Sequence, residues 1–257
     1  MLHNSTPAVD ILMYHSISEG VEPTCISPVV FQQQMAALAE CGYHPVSLAA
    51  CAAWVRGEST LPARSVVLTF DDGFDDFATV VFPELQARGW TATVFLPAGK
   101  MGGTNDWEAH PSGAAARPLM TWQTVAELAR WGIDFGAHGV SHTDLTRLSP
   151  QAASEEIRQA RCLIEQQVGC RVTCFAPPYG TTSLAVRAAI GQHYSAAVGT
   201  TVARARRTSD VYDLPRIEMW YFRNARLWRA FLEGHARGSF FLRRAMRKVR
   251  EKVFQRC

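Results

Sequence analysis

A chain of 257 residues, 47% of them hydrophobic, can bury one large core and fits a single sizeable α/β domain better than two small ones. The formal net charge of +3 is near neutral for this length, so composition argues against a nucleic-acid binder. Seven cysteines, odd in number and without C-x-x-C spacing, argue against both a disulfide framework and a cysteine zinc site.

In chain order, residues 1–10 show no leader pattern, and no apolar run approaches the ~20 residues that span a bilayer, so the expectation is a cytoplasmic chain. Ile11-Leu12-Met13-Tyr14 predicts a buried strand that delivers His15 to its end. Ser27-Pro28 marks a helix start, and Phe31, Met35 and Leu38 follow at helical spacing up to Gly42. A short strand over 43–48 and a short helix over 48–56 lead to a strand over 65–70. That strand runs straight into Asp71-Asp72-Gly73. Phe77, Val81 and Leu85 predict one helix over 74–88, and 91–96 reads as a strand. Residues 99–118 lose periodicity, which marks a long loop, either functional or a mobile surface insertion; it holds Asp106, Trp107 and His110.

Helices over 121–130 and 149–168 flank a strand over 133–137 that carries His138. In the second helix Leu163 and Val168 are expected to point inward, with Glu155, Glu156, Arg158 and Glu165 as a solvated face. A strand over 172–175 runs into Ala176-Pro177-Pro178-Tyr179-Gly180. A helix over 183–190 and strands over 194–198 and 213–219 follow. Such alternation predicts a parallel sheet with helices outside, closed or nearly closed into a barrel. The strand ends of a barrel share one face. His15, Asp71, Asp72, His138, the Pro-Pro-Tyr turn and Arg216 would therefore converge there from distant parts of the chain.

Chemically, His138 and His142 are four residues apart, a spacing that lets both rings point the same way from one helical turn. A carboxylate of the Asp71-Asp72 pair completes three ligands for a divalent metal and leaves positions open, the mark of a catalytic site. The other carboxylate of the pair is then available as a general base toward water acidified by the metal. No G-x-S-x-G elbow, P-loop or G-x-G-x-x-G after a strand offers a competing mechanism.

Thr69-Phe70-Asp71-Asp72-Gly73, His138-Gly139-Val140-Ser141-His142 and Phe175-Ala176-Pro177-Pro178-Tyr179-Gly180, in this order, resemble the first three motifs of the polysaccharide deacetylase family. The resemblance covers roughly residues 9 to 220. It implies a distorted (β/α)7 barrel and a divalent metal, usually Zn2+, with Co2+, Ni2+ or Mn2+ as alternatives. It also implies hydrolysis of an N-acetyl group on an amino sugar or oligosaccharide, or of O-acetyl or formyl groups in some members. Carried over, Asp71 resembles the general base, and Asp72, His138 and His142 the metal triad. The backbone N–H of Tyr179, next to Pro178, resembles the oxyanion donor.

Two departures matter. Ala176 stands where many members have an arginine that orients the base, and Arg216 in Leu-Pro-Arg-Ile is expected to replace it by contacting Asp71. The late motif with a general-acid histidine is also missing. Leu12-Met13-Tyr14-His15 resembles instead the opening of poly-N-acetylglucosamine deacetylases, so His15 is the expected general acid. Trp107 and Trp220 are candidates to stack on sugar in a substrate groove. A small-molecule amide or formamide hydrolase and a non-catalytic saccharide-binding protein stay open as alternatives.

Residues 1–222 thus read as the catalytic domain and 223–257 as a basic helical extension. Phe240, Phe241, Leu242, Ala245, Met246, Val249 and Val253 recur there at helical spacing among Arg and Lys. Such a helix lies on an anionic membrane surface, peripheral to its inner face, or packs on the barrel. It carries no nucleic-acid reading motif.

Overall fold

A computed structural model describes residues 8–20, 24–107 and 116–235. The amphipathic stretch expected over 240–253, and His110, lie outside the described residues.

Among the described residues, nine strands and seven α-helices follow one another. The strands are β1 (Ala8–Tyr14), β2 (His44–Pro45), β3 (Ser65–Phe70), β4 (Thr93–Leu96), β5 (Asp134–Ala137), β6 (Cys174–Phe175), β7 (Ala196–Val202), β8 (Ala205–Arg206) and β9 (Leu214–Glu218). The helices are α1 (Pro28–Glu40), α2 (Leu48–Val55), α3 (Phe82–Gln86), α4 (Trp122–Arg130), α5 (Pro150–Val168), α6 (Leu184–His193) and α7 (Ala225–Leu232). Seven strands close a ring in the order β3-β4-β5-β6-β7-β9-β1, because β1 pairs with both β9 and β3. Every ladder in that ring is parallel. This is a closed seven-stranded barrel with helices outside. Outside the ring, β2 pairs with the first two residues of β3, and β8 runs antiparallel to the start of β1.

Successive residues of a strand face opposite sides, so the barrel has two cores. Val9, Ile11, Val67, Phe95, Cys174, Ala196, Val198 and Leu214 fill the interior together with Leu48, Ala52, Trp54 and Val55 of α2. Leu12, Tyr14, Leu68, Phe70, Val94 and Leu96 pack outward against the surrounding helices. Gly136 leaves the space that Phe95 fills, for a Cβ there would sit 2.5 Å from the Phe95 ring. The same parity carries the site. Two residues beyond Ile11 and Met13 comes His15, beyond Val67 and Thr69 comes Asp71, beyond Gly136 comes His138, and beyond Leu214 comes Arg216.

The helix starts follow local chemistry. Ser27, Thr121, Ser149 and Ser183 each accept a backbone N–H of the first turn. The single helix expected over 74–88 is instead a π-turn, Phe77–Val81, joined to α3. Pro83 has no N–H to give the carbonyl of residue 79 and its ring crowds that carbonyl, so the turn widens. The expected inward residue Leu163 is 37% exposed; α5 buries Ala153, Ile157, Ala160 and Ile164 instead. Beyond residue 222, α7 buries Trp228, Phe231 and Leu232, and Trp228 Nε1 donates to the Gln34 carbonyl of α1. Among the described residues six cysteines are free, and no helix is long and apolar enough to cross a membrane.

Candidate active site

Asp71 and Asp72 follow β3 directly. They separate because the chain turns left-handed at Asp72, with φ of 74°. Among the described residues the other non-glycine positions with positive φ are Arg64, His142 and Tyr179. Three of these four belong to the site, and each such conformation costs about 1–3 kcal/mol that the surrounding structure must offset.

Asp71 points to Arg216. Nη1 donates to Oδ1 at 2.7 Å and Nη2 to Oδ2 at 2.8 Å, a two-pronged ion pair with Arg216 only 1% exposed. The guanidinium also donates to Thr69 Oγ1 at 3.2 Å and to the Gly199 carbonyl at 2.8 Å. The latter lies in an irregularity of β7 between Val198 and Val202. Burial alone would raise the Asp71 carboxyl; the Arg216 charge outweighs it and holds the carboxyl below its ordinary range. His15 Nε2 stands 3.8 Å from Asp71 Oδ2, and its buried Nδ1 has no hydrogen-bond partner among the described residues.

Asp72 turns the other way. Its Oδ1 is 3.4 Å from His138 Nε2 and 3.2 Å from His142 Nε2, and all three residues are buried. His138 Nδ1 lies 2.6 Å from the Ala176 carbonyl. A carbonyl only accepts, so Nδ1 carries the ring hydrogen and the neutral ring has its lone pair at Nε2. That lone pair then faces a carboxylate oxygen, an arrangement that calls for a cation between them. The separations also suit a tetrahedral ion with bonds of about 2.0–2.1 Å, whose ligands stand about 3.3–3.4 Å apart. The three side chains therefore fit a divalent metal such as Zn2+ by donor type, orientation and spacing.

Without the ion, a proton takes its place. Burial opposes charge on both rings. At His138 the Asp72 and Asp71 carboxylates prevail and the pKa is raised, whereas at His142 burial and repulsion from His138 leave it lowered. The competing proton therefore sits on His138. Zinc affinity, read by competition with a chromophoric chelator, should start to fall above the ordinary histidine pKa of about 6.5 as the solution is acidified. Affinity constant from about pH 8 to about pH 5 would contradict this.

The expectation that the two histidines share a helical turn is not met. His138-Gly139-Val140-Ser141-His142 is a loop, with φ of 76° at Gly139 and 61° at His142. Its backbone is pinned to the end of β4, where the N–H groups of Ala98 and Gly99 donate to the carbonyls of Gly139 and Val140.

The sequence profile of the polysaccharide deacetylase family matches residues 58–197, more than half of the chain. The chain belongs to the polysaccharide deacetylase family. It is similar to YxkH of Bacillus subtilis (strain 168), at 26% identity over 210 residues, covering 81% of this chain and 70% of that one. It also resembles the poly-beta-1,6-N-acetyl-D-glucosamine N-deacetylase of Escherichia coli (strain K12), at 41% identity over 108 residues. That match covers 38% of this chain and 15% of the E. coli protein. Among solved structures, the Streptococcus pyogenes deacetylase PplD superposes with a TM-score of 0.71 at 24% identity, over 83% of this chain and 92% of PplD. IcaB from Ammonifex degensii gives 0.70 at 23% identity, over 86% and 97%. At these identities both bear on the fold, which is the barrel described above.

Within this polysaccharide deacetylase barrel, further residues frame the site. The Trp107 indole stacks on the His142 ring, with centroids 4.0 Å apart. Tyr179, 40% exposed, brings its hydroxyl to 3.2 Å from His142 Nδ1, and Pro178 packs near Gly139. Trp220 lies on the turn after β9, where the Arg223 guanidinium covers its ring at 4.0 Å; it is not joined to this cluster by a described contact. Asp106 pairs with Lys100 at the surface. Asp144 caps the turn Leu145–Arg147 and accepts from Thr181 Oγ1, linking the histidine loop to the Pro-Pro-Tyr loop.

Three side chains escaped the sequence reading. Asp76 accepts from Ser16 Oγ at 2.5 Å and from the Ile17 N–H at 3.0 Å, which clamps the chain just past His15. Arg117 donates to Ser16 Oγ at 2.7 Å and so ties the far end of the long loop to the same point. The signal for Asp76 was its place in Asp71-Asp72-Gly73-Phe74-Asp75-Asp76. The third is Glu156, assigned to a solvated face; it accepts from the histidine loop.

Proposed function

We propose that this chain removes an N-acetyl group from an amino sugar of a saccharide, with a divalent ion held by Asp72, His138 and His142. The observation that carries the reading is the split of the acidic pair. Asp72 faces two imidazoles, while its neighbour Asp71 is held ionised by Arg216. When bound, the ion acidifies a water and polarises the acyl oxygen.

The chain's own residues supply the rest. Asp71 takes the proton of the attacking water, and Arg216 keeps its carboxylate oriented and charged. The backbone N–H of Tyr179 stabilises the charge that develops on the acyl oxygen. His15 gives a proton to the departing amine, a task suited to an imidazole near neutral pH. Its Nε2 lies 3.8 Å from Asp71 Oδ2, which supports acid and base acting at the same mouth of the barrel. The aromatic rim of Trp107 and Tyr179 supports a sugar ring as substrate. The E. coli relative is named for poly-beta-1,6-N-acetyl-D-glucosamine, which makes β-1,6-linked N-acetylglucosamine oligomers the first substrates to try.

Acetate release should be measured from a panel of N-acetylated oligosaccharides, with and without chelator. We expect release that stops with chelator, returns with added Zn2+, and is absent in His138→Ala. Release that persists in His138→Ala, or is indifferent to chelator, would remove the reading.

A further inference from the structure

We infer that Glu156 of α5 is a positioning residue for the metal: its carboxylate locks the loop between His138 and His142 into the ligating shape. The inference rests on the reading that Asp72, His138 and His142 hold a divalent ion.

Ala153, Ile157 and Ala160 bury one face of α5 against the barrel. Glu156 is three residues past Ala153 and one before Ile157, so it sits on the border of that face, next to the histidine loop. There Oε2 accepts from the Val140 N–H at 2.7 Å and from the Ser141 N–H at 3.2 Å, while Oε1 accepts from Ser141 Oγ at 2.9 Å. Two successive backbone N–H groups aimed at one carboxylate oxygen form a small anion cradle, and here the anion is supplied by the protein itself. Gly139 belongs to the same device. It has positive φ, and a Cβ on it would lie 3.3 Å from Glu156 Oε2.

The three bonds fall on the residues between the two ligands. His142 is left-handed immediately after Ser141, a conformation an imidazole residue keeps only when its neighbours are held. The carbonyl side of the same loop is fixed by Ala98 and Gly99. Glu156 fixes the N–H side. Together they set the distance between two imidazoles that are otherwise joined by a chain able to open.

The test is zinc affinity, measured on the full chain by competition with a chromophoric chelator, with circular dichroism and the metal-free unfolding midpoint as fold controls. Glu156→Ala should weaken binding by about 10–100-fold, the usual scale for a residue that holds a ligand in place. Glu156→Gln keeps an acceptor for the two N–H groups and a donor for Ser141 Oγ, so its loss should stay below about tenfold. Glu156→Asp keeps the charge but withdraws it by one methylene, and should resemble Glu156→Ala. This contrast separates reach from charge, which a general fold defect would not do. Folded Glu156→Ala with wild-type affinity overturns the inference; if that variant fails to fold, Glu156→Asp with wild-type affinity does so. Wild-type protein without saturable zinc binding sinks the metal reading and this inference with it.

Discussion

Asp71→Asn is expected to lower the turnover number for acetate release by about 10²–10⁴-fold, the range that a positioned general base contributes. In barrier terms this is about 2.7–5.4 kcal/mol. Asparagine matches aspartate in size and keeps one oxygen for Arg216. Its amide nitrogen then meets the second guanidinium N–H, donor against donor, and it can take no proton from water. The ligand oxygen belongs to Asp72, so the variant should still bind one zinc per chain. Metal content and unfolding midpoint measured beside the rate separate loss of the base from loss of the site. A zinc-loaded variant within tenfold of the wild-type rate would show that another group takes the proton.

Arg216→Met should destabilise the folded protein by about 3–5 kcal/mol at neutral pH, because it strands a buried carboxylate without its cation. The sign with pH follows from Asp71. In the wild type its folded pKa is below the unfolded value, so the pair contributes stability above the ordinary aspartate pKa of about 3.9. That contribution is lost as pH falls through the folded pKa. In the variant, burial is opposed only by the more distant His15 and His138, and the carboxyl folds more easily protonated. The stability gap between the two proteins should be widest near neutrality and narrow toward about pH 4. Urea unfolding at several pH values reads it. A gap under about 1 kcal/mol, or one independent of pH, would mean that the ion pair matters little to the fold.

Much of the barrel was legible along the chain. The strand Ser65–Phe70 has the expected bounds, since an apolar run between a turn and an acidic pair leaves no other reading. The starts of α1, α4, α5 and α6 were marked by Ser or Thr, twice with Pro behind, because N-capping is a matter of a few adjacent residues. Errors arose where the outcome depends on a distant neighbour. On α5, Leu163 and Ile164 are equally apolar, and only the positions of α4, α6 and β5 decide that Ile164 faces inward. Glu156 looked like any charged residue on an amphipathic helix. Two of its three partners are backbone N–H groups about 15 residues away, which carry no side-chain signal; the third is the Ser141 hydroxyl.

By itself, then, the sequence determined which residues follow the strands, and thereby the inventory of two aspartates, three site histidines and their order. Alternation along a strand and capping at a helix start are local physics, and both are written in short stretches of residues. The family resemblance already parted the acidic pair, but only the tertiary structure gives the physical cause of the parting. The left-handed turn at Asp72 sends one carboxylate to His138 and His142 and leaves the other to Arg216, 145 residues further on. The closed barrel brings β3, β5 and β9 to one mouth, where burial strengthens each charge contact and makes every unpaired group costly. The histidine loop, not a helical turn, joins the two imidazoles, and its shape is held from β4 and from Glu156.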